Sequence, residues 1–154
     1  MSNFSKGIIS IPEVTGDIEI TVTTQGQAIN LFDTNTALYN HRVRSTGAVS
    51  NDNTNGIITT APIDISNIST LTIGGISEVY STSYGYCACI WTYSDADAST
   101  LVSSLKYTTE TYVMDVASIK QSYPTGVYCR VVLVLTNGTA VSQADTTNLT
   151  IYGS

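Results

Sequence analysis

The stretch Val127-Tyr128-Cys129-Arg130-Val131-Val132-Leu133-Val134-Leu135-Thr136 decides the fold of this chain. From Val131 to Leu135 every side chain is apolar, so a strand here exposes no polar face to water. Such a strand needs cover on both of its faces. The stretch therefore predicts a central strand in a sandwich, or a strand at a subunit interface.

Alternating segments on either side of this stretch predict further strands. Leu71 and Ile73 are expected to point inward from one of them, and Pro62 favours a strand start or edge because it cannot donate to a ladder. Between residues 86 and 93 the alternation predicts two faces, one with Tyr86, Ala88 and Ile90, the other with Cys87, Cys89, Trp91 and Tyr93.

Helical signals are nearly absent from the chain. Asp115 is predicted to cap a single turn over residues 116–120, and no longer amphipathic helix is visible. Many strands separated by polar turns predict an all-β fold, an antiparallel β-sandwich of about eight or more strands with at most one short helical turn.

The length and composition suit one compact domain. The 154 residues are 42% apolar and only 12% charged, with ten Tyr among them, which is not the composition of a disordered chain. Residues 1–26 predict a β-hairpin that serves as an attachment segment, and residues 27–154 the sandwich. No window approaches the roughly 20 apolar residues of a membrane helix, so we expect no membrane insertion.

The charge balance bears on the partners. A formal net charge of −6 opposes attraction to phosphate backbones, so nucleic acid is not an expected partner. The only basic cluster is His41-Arg42-Val43-Arg44, which fits either a site for an acidic sugar or partner carboxylate, or an ordinary solvated strand or loop. The first residues lack a basic start followed by an apolar stretch, so we expect no secretory signal, and we expect no cofactor.

Three cysteines do not make a framework of paired disulfides. Cys87 and Cys89 are expected to share a strand face, and a disulfide from Cys129 to one of them stays open. A metal site is disfavoured because C-A-C lacks the usual spacing and a fourth donor. Buried, unpaired thiols are the preferred interpretation.

An ordered series of short motifs runs from Asn30 onward: Asn30-Leu31-Phe32-Asp33, Ala61-Pro62-Ile63-Asp64-Ile65, Ser69-Thr70-Leu71-Thr72-Ile73 and Ile90-Trp91-Thr92-Tyr93-Ser94-Asp95-Ala96-Asp97. In this order they resemble the jelly-roll-like, carbohydrate-binding-module-type β-sandwich domains of bacteriophage tail fibre, baseplate and capsid-decoration proteins. Residues 14–21 resemble the closing strand of an Ig-like repeat. The resemblance implies a jelly-roll-like sandwich in the virion that binds or assembles rather than catalyses. It also implies a homo-oligomer, with a trimer suggested by fibres, in contact with other virion proteins and with a host-surface glycan.

Sugar binding needs aromatic faces together with polar groups that hydrogen-bond hydroxyls. Trp91, Tyr93, Tyr84 and Asp95 supply these groups, although aromatic residues on strands also serve as core or subunit contacts. Asp95 and Asp97 are weak candidates for a hard cation, with solvation of their turn as the alternative.

Catalysis is not expected. A Ser-His-Asp triad would need the single histidine, His41, and the chain has no G-x-S-x-G elbow. The leading hypothesis is a structural or accessory protein of a phage virion. The alternative is a carbohydrate-binding or adhesin module of a bacterial secreted or surface protein, which would place it outside the cell or on its surface.

Overall fold

A computed structural model describes residues 28–51, 55–76, 85–109, 112–136 and 138–154. The predicted hairpin of residues 1–26 and the candidate Tyr84 lie outside these ranges, and the domain boundary at residue 26 stays a prediction. The described strands are β1 (Leu38–Tyr39), β2 (Arg42–Val43), β3 (Val49–Ser50), β4 (Ile57–Thr59), β5 (Ile63–Asp64), β6 (Thr70–Gly74), β7 (Ala88–Tyr93), β8 (Leu101–Tyr107), β9 (Val113–Asp115), β10 (Tyr128–Val134) and β11 (Thr150–Gly153). The helical elements are α1 (Val116–Ser122) and a 3-10 turn (Gln143–Thr146).

Strand β10 occupies the centre of the larger sheet, as its apolar sequence predicts. It pairs antiparallel with β7 along one side and with β4 and β5 along the other. Val131 and Leu133 point into one hydrophobic cluster, and Val132 and Val134 into another on the opposite face. Because both faces of β10 are covered, none of its residues from Val131 to Val134 needs to be polar.

The two main sheets form a sandwich. The larger sheet has the order β1-β4-β10-β7-β8, with β5 paired to β10, and the smaller has the order β11-β6-β9. The sandwich core contains Ile90 and Val131 from the larger sheet together with Leu71, Met114 and Ile151 from the smaller. All strand pairs in these sheets are antiparallel, which confirms the predicted all-β sandwich.

The chain crosses repeatedly between the two sheets. It passes from β5 to β6, back to the β7–β8 pair, over to β9, back to β10 and finally to β11. Crossings of this kind occur in Greek-key sandwiches and in jelly rolls, and they make strands distant in sequence neighbours in one sheet.

The first motif of the series, Asn30 to Asp33, ties the described start of the chain to its last strand. The Asn30 side-chain oxygen accepts hydrogen bonds from the backbone N–H groups of Ile151 (2.8 Å) and Phe32 (3.1 Å). Phe32 enters the sandwich core, and the Asp33 carboxylate accepts from the N–H of Asn35 at 2.9 Å. Three of the four residues of this motif thus stabilise the fold.

Helix α1 begins where the sequence predicts. The Asp115 carboxylate accepts from the N–H of Ser118 at 2.9 Å, which is the expected N-cap contact. The helix runs for seven residues, two more than the predicted residues 116–120, and its Val116 and Ile119 pack in the sandwich core. The 3-10 turn at Gln143–Thr146 is a second short helical element that the sequence analysis did not place.

All three cysteines are buried and unpaired, in agreement with the preferred interpretation. The expectation that Cys87 and Cys89 share a face is wrong, because Cys87 packs in the sandwich core and Cys89 in the cluster on the other face of the sheet. Tyr86, predicted to share a face with Ala88 and Ile90, likewise packs in the cluster on the opposite face of the sheet. Regular alternation begins only at Ala88, the first residue of β7, so the two positions before it do not follow the strand pattern.

Candidate functional site

A groove rich in positive charge lies on the outer face of the larger sheet. Its volume is about 530 Å³, and we call it the basic groove; its lining residues are Arg42, Val43, Arg44, Ser45, Tyr86, Trp91 and Lys106. The chain has six Lys and Arg in total, and three of them line this groove. Half of the positive charge of an acidic protein is therefore gathered at one place.

One wall of the groove is the β2–β3 hairpin. Its strands pair Arg42 with Ser50 and Val43 with Val49. Because successive side chains of a strand point to opposite faces, Val43 can enter the outer hydrophobic cluster while its two arginine neighbours stay outside it. Val43 therefore anchors the hairpin to the sheet, while Arg42 and Arg44 keep their charged groups outside the hydrophobic cluster.

Two buried hydroxyl groups hold this hairpin against the sheet. The Tyr93 phenol donates to the Gly47 carbonyl at 2.8 Å, and the Thr59 hydroxyl donates to the His41 carbonyl at 2.7 Å. Burial raises the pKa of Tyr93 to about 12, so the phenol keeps its proton and remains a donor. The wall carrying Arg42 and Arg44 is therefore fixed to the sheet before any ligand arrives.

Gly47 closes the hairpin turn at the point of contact with the sheet. Its φ of +85° lies in the left-handed region, and its N–H donates to the Arg44 carbonyl at 2.8 Å. A Cβ at this position would lie 2.8 Å from the Cβ of Leu101 and 3.2 Å from the Tyr93 ring. Glycine is required both for the turn and for the close approach.

The opposite wall and the floor come from the larger sheet. Lys106 stands opposite Cys89 in the β7–β8 register, on the face that carries the outer cluster, and its Nζ lies 5.6 Å from the centre of the Tyr86 ring. At that distance the ammonium is attracted by the face of the ring. Trp91 is 4% exposed, and its indole N–H is buried without a hydrogen-bond partner among the described residues.

The residues proposed from the sequence for sugar binding fall in different places. Trp91 lines the basic groove, whereas Tyr93 is fully buried beneath the hairpin and exposes no ring face. Asp95 lies in the turn after β7 and is not a lining residue of the groove. The structure thus brings together Trp91 and the basic cluster, and it makes Tyr93 a support for the site.

The Asp95 carboxylate stabilises its own turn through hydrogen bonds. Its two oxygens accept from the N–H groups of Ser99 (2.9 Å) and Thr100 (2.8 Å). The hydrogen bonds from Ser99 are the main reason that the pKa of Asp95 lies below its ordinary value. Asp97 is exposed, and the described part of the chain holds no group of three or more His, Cys, Asp or Glu residues that could bind a metal ion.

Other described carboxylates are engaged in the same local way. Hydrogen bonds from residues of their own turn or cap lower the pKa of four more aspartates: Asp33, Asp64, Asp115 and Asp145. None of them lines the basic groove. The groove consequently has cationic and aromatic residues, one valine and one serine, and no carboxylate among the described residues.

Three groove residues are not singled out by the sequence: Ser45, Tyr86 and Lys106. The position of Lys106 follows only from the pairing of β8 with β7, which places it across from Cys89.

The single histidine, His41, has its Nδ1 2.6 Å from the Tyr39 carbonyl, next to the hairpin.

None of the helices in the described ranges is long and apolar enough to cross a membrane. Comparison of the chain with protein-family models, with curated proteins and with solved structures found no match. The assignment of a ligand class to the basic groove therefore rests on the residues that line it.

Proposed function

We propose that this chain is a non-catalytic binding module of a bacteriophage virion, of the tail fibre, baseplate or capsid-decoration type. In this role it assembles as a homo-oligomer with other virion proteins and attaches to a glycan on the host surface. The observation that carries the adhesive part is the basic groove, a concave site on a β-sheet with aromatic, cationic and hydroxyl groups along its lining.

The rigidity of the groove supports a binding role. Its hairpin wall is anchored by the buried hydroxyl groups of Tyr93 and Thr59, and its floor belongs to the fully buried strand β7. A site that is already formed loses little conformational entropy when a ligand binds, which favours affinity.

The virion part of the proposal rests on the ordered motifs from Asn30 to Asp97 and on the jelly-roll-like crossings between the sheets. Mass spectrometry of purified phage particles tests it directly, because a virion protein is recovered with the particle at a stoichiometry set by symmetry. Light scattering on the purified chain measures its oligomeric state, for which we expect more than one copy. A monomer that is absent from particles and binds no host-surface material would refute the proposal.

The same groove would serve a carbohydrate-binding or adhesin module of a bacterial secreted or surface protein. Neighbouring genes separate the two functions: capsid and tail genes favour the virion protein, and a larger reading frame with a leader and a catalytic domain favours the bacterial module.

A further inference from the structure

We infer that the basic groove binds a carboxylated sugar, such as a uronic or sialic acid residue of a surface glycan, through Arg42, Arg44 and Lys106. This inference rests on the adhesive role proposed above and names its ligand class. It develops the acidic-sugar interpretation of the basic cluster, and it differs from the aromatic stacking site that the candidates Trp91, Tyr93, Tyr84 and Asp95 suggest.

The distribution of charge is the first argument. With the three groove cations set aside, the chain keeps three cations and twelve acidic residues, a formal charge of −9. A short anion that fits within the groove interacts mainly with the cations that line it. A long polyanion such as a nucleic acid would extend over the rest of this acidic chain and be repelled. The positive groove on an otherwise acidic chain therefore favours a compact anionic ligand over a long polyanion.

The burial of the aromatic residues is the second argument. Trp91 is only 4% exposed and Tyr86 only 6%, so neither offers a whole ring face for stacking. Both arginines and Lys106 are partly or well exposed along the groove. Charge and hydrogen bonds, with the aromatic edges as an apolar floor, are therefore the main means of recognition.

The kinds of donor present favour a carboxylate on a polar, hydroxyl-bearing ligand. A guanidinium presents a planar fork that matches the two oxygens of a carboxylate. Ser45 adds a hydroxyl that can donate to or accept from a sugar hydroxyl group. The buried Trp91 N–H lacks an acceptor among the described residues, and a small shift of the indole on binding would let a ligand oxygen supply one.

Trp91 also makes the test simple, because it is the single tryptophan of the chain and lies in the groove. The probe is a short oligogalacturonate, titrated while the intrinsic fluorescence is recorded, with the neutral galactose oligomer of equal length as its control. N-acetylneuraminic acid serves as a second carboxylated probe. We expect a saturable change with at least one carboxylated probe, none with the neutral oligomer, and weaker binding at high salt.

Variants locate the binding. Arg44→Gln should weaken it about tenfold, and Arg44→Lys, which keeps the charge but loses the planar fork, should weaken it less. Thr72→Glu changes the net charge by the same single unit at an exposed position of the smaller sheet, and it should leave binding unchanged. Equal losses in Arg44→Gln and Thr72→Glu would show that only net charge matters and would overturn the site.

Other ligand classes give distinct results. Equal binding of the neutral oligomer, exclusive binding of galactose 6-sulfate, or exclusive binding of an acidic peptide would each overturn the assignment to a carboxylated sugar. The same holds if neither carboxylated probe binds. None of these results affects the recovery of the chain from purified particles, so failure here is distinguishable from failure of the proposed virion role.

Discussion

Replacing Lys120 by methionine should loosen the link between α1 and the turn that follows β5. The Lys120 Nζ donates to three backbone carbonyls of that turn, those of Ile65 (3.0 Å), Ser66 (2.8 Å) and Ile68 (3.0 Å). Methionine keeps an unbranched apolar stem and removes the ammonium, so the change tests the hydrogen bonds rather than the packing.

The expected loss follows from the surroundings of each carbonyl. A hydrogen bond from a charged donor contributes about 1.5–3 kcal/mol. Ser66 is exposed, so water replaces its bond, and the Ile65 carbonyl keeps a second donor in the N–H of Ile68 at 3.1 Å. The partly buried Ile68 carbonyl carries most of the cost. We therefore expect a loss of about 2–3 kcal/mol, not three times the value of one bond, from a total stability that is typically 5–15 kcal/mol.

Urea unfolding followed by Trp91 fluorescence measures this loss. Lys106→Met is the matched control, because it makes the same chemical change at an exposed position, where the loss of the contact with the Tyr86 ring should lower the free energy of unfolding by no more than about 1 kcal/mol. Lys120→Gln retains a neutral amide as donor group, and its free energy of unfolding should lie between those of the wild type and Lys120→Met. If Lys120→Met unfolds within about 0.5 kcal/mol of the wild type, the reasoning about the carbonyl cluster is refuted.

Four further predictions concern the hairpin, the thiols and the carboxylates. Tyr93→Phe should lower the free energy of unfolding by about 1–2 kcal/mol in urea, because the Gly47 carbonyl loses its buried donor, while the exposed Tyr152→Phe should not. Gly47→Ala should cost about 1–3 kcal/mol in the same assay through its positive φ and the 2.8 Å approach to Leu101. Burial raises the pKa of the Cys129 thiol and that of Cys89, the latter to about 12, so a thiol reagent at pH 8 should label them only after urea is added. The five turn and cap aspartates have a folded pKa below the ordinary 3.8, so the stability they contribute is complete above that pH and declines as the pH falls through the lowered values, which a series of urea midpoints between pH 6 and pH 2 would show.

The sandwich and its central strand were predictable because the relevant signals are local. An apolar run from Val131 to Leu135 needs cover on both faces whatever surrounds it, and β10 has that cover. The same holds for Leu71 and Ile73, which point into the core as their alternation predicts, and for Asp115, whose cap contact spans only three residues.

The candidate site was predictable only in part. The sequence indicates both Trp91 and the basic cluster around Arg42, but as separate features, because they are about fifty residues apart in the chain. Tyr93 shares a strand face with Trp91, as the sequence predicts, yet its burial beneath the hairpin depends on the approach of Gly47, which strand periodicity does not contain. Cys87 and Tyr86 departed from their predicted faces because the strand starts after them.

By itself the sequence determined the fold class, the central strand, the helix cap and the buried state of the thiols, since each depends on the hydrophobicity or hydrogen bonding of neighbouring residues. Only the tertiary structure decided that Arg42 and Arg44 line one groove together with Trp91 and Lys106. That arrangement requires the β7–β8 register and the packing of the β2–β3 hairpin on the sheet. The physical reason is that the alternation of apolar and polar residues along a strand determines which face each side chain is on. Which strand or hairpin lies next to that face depends on packing between parts of the chain that are distant in sequence.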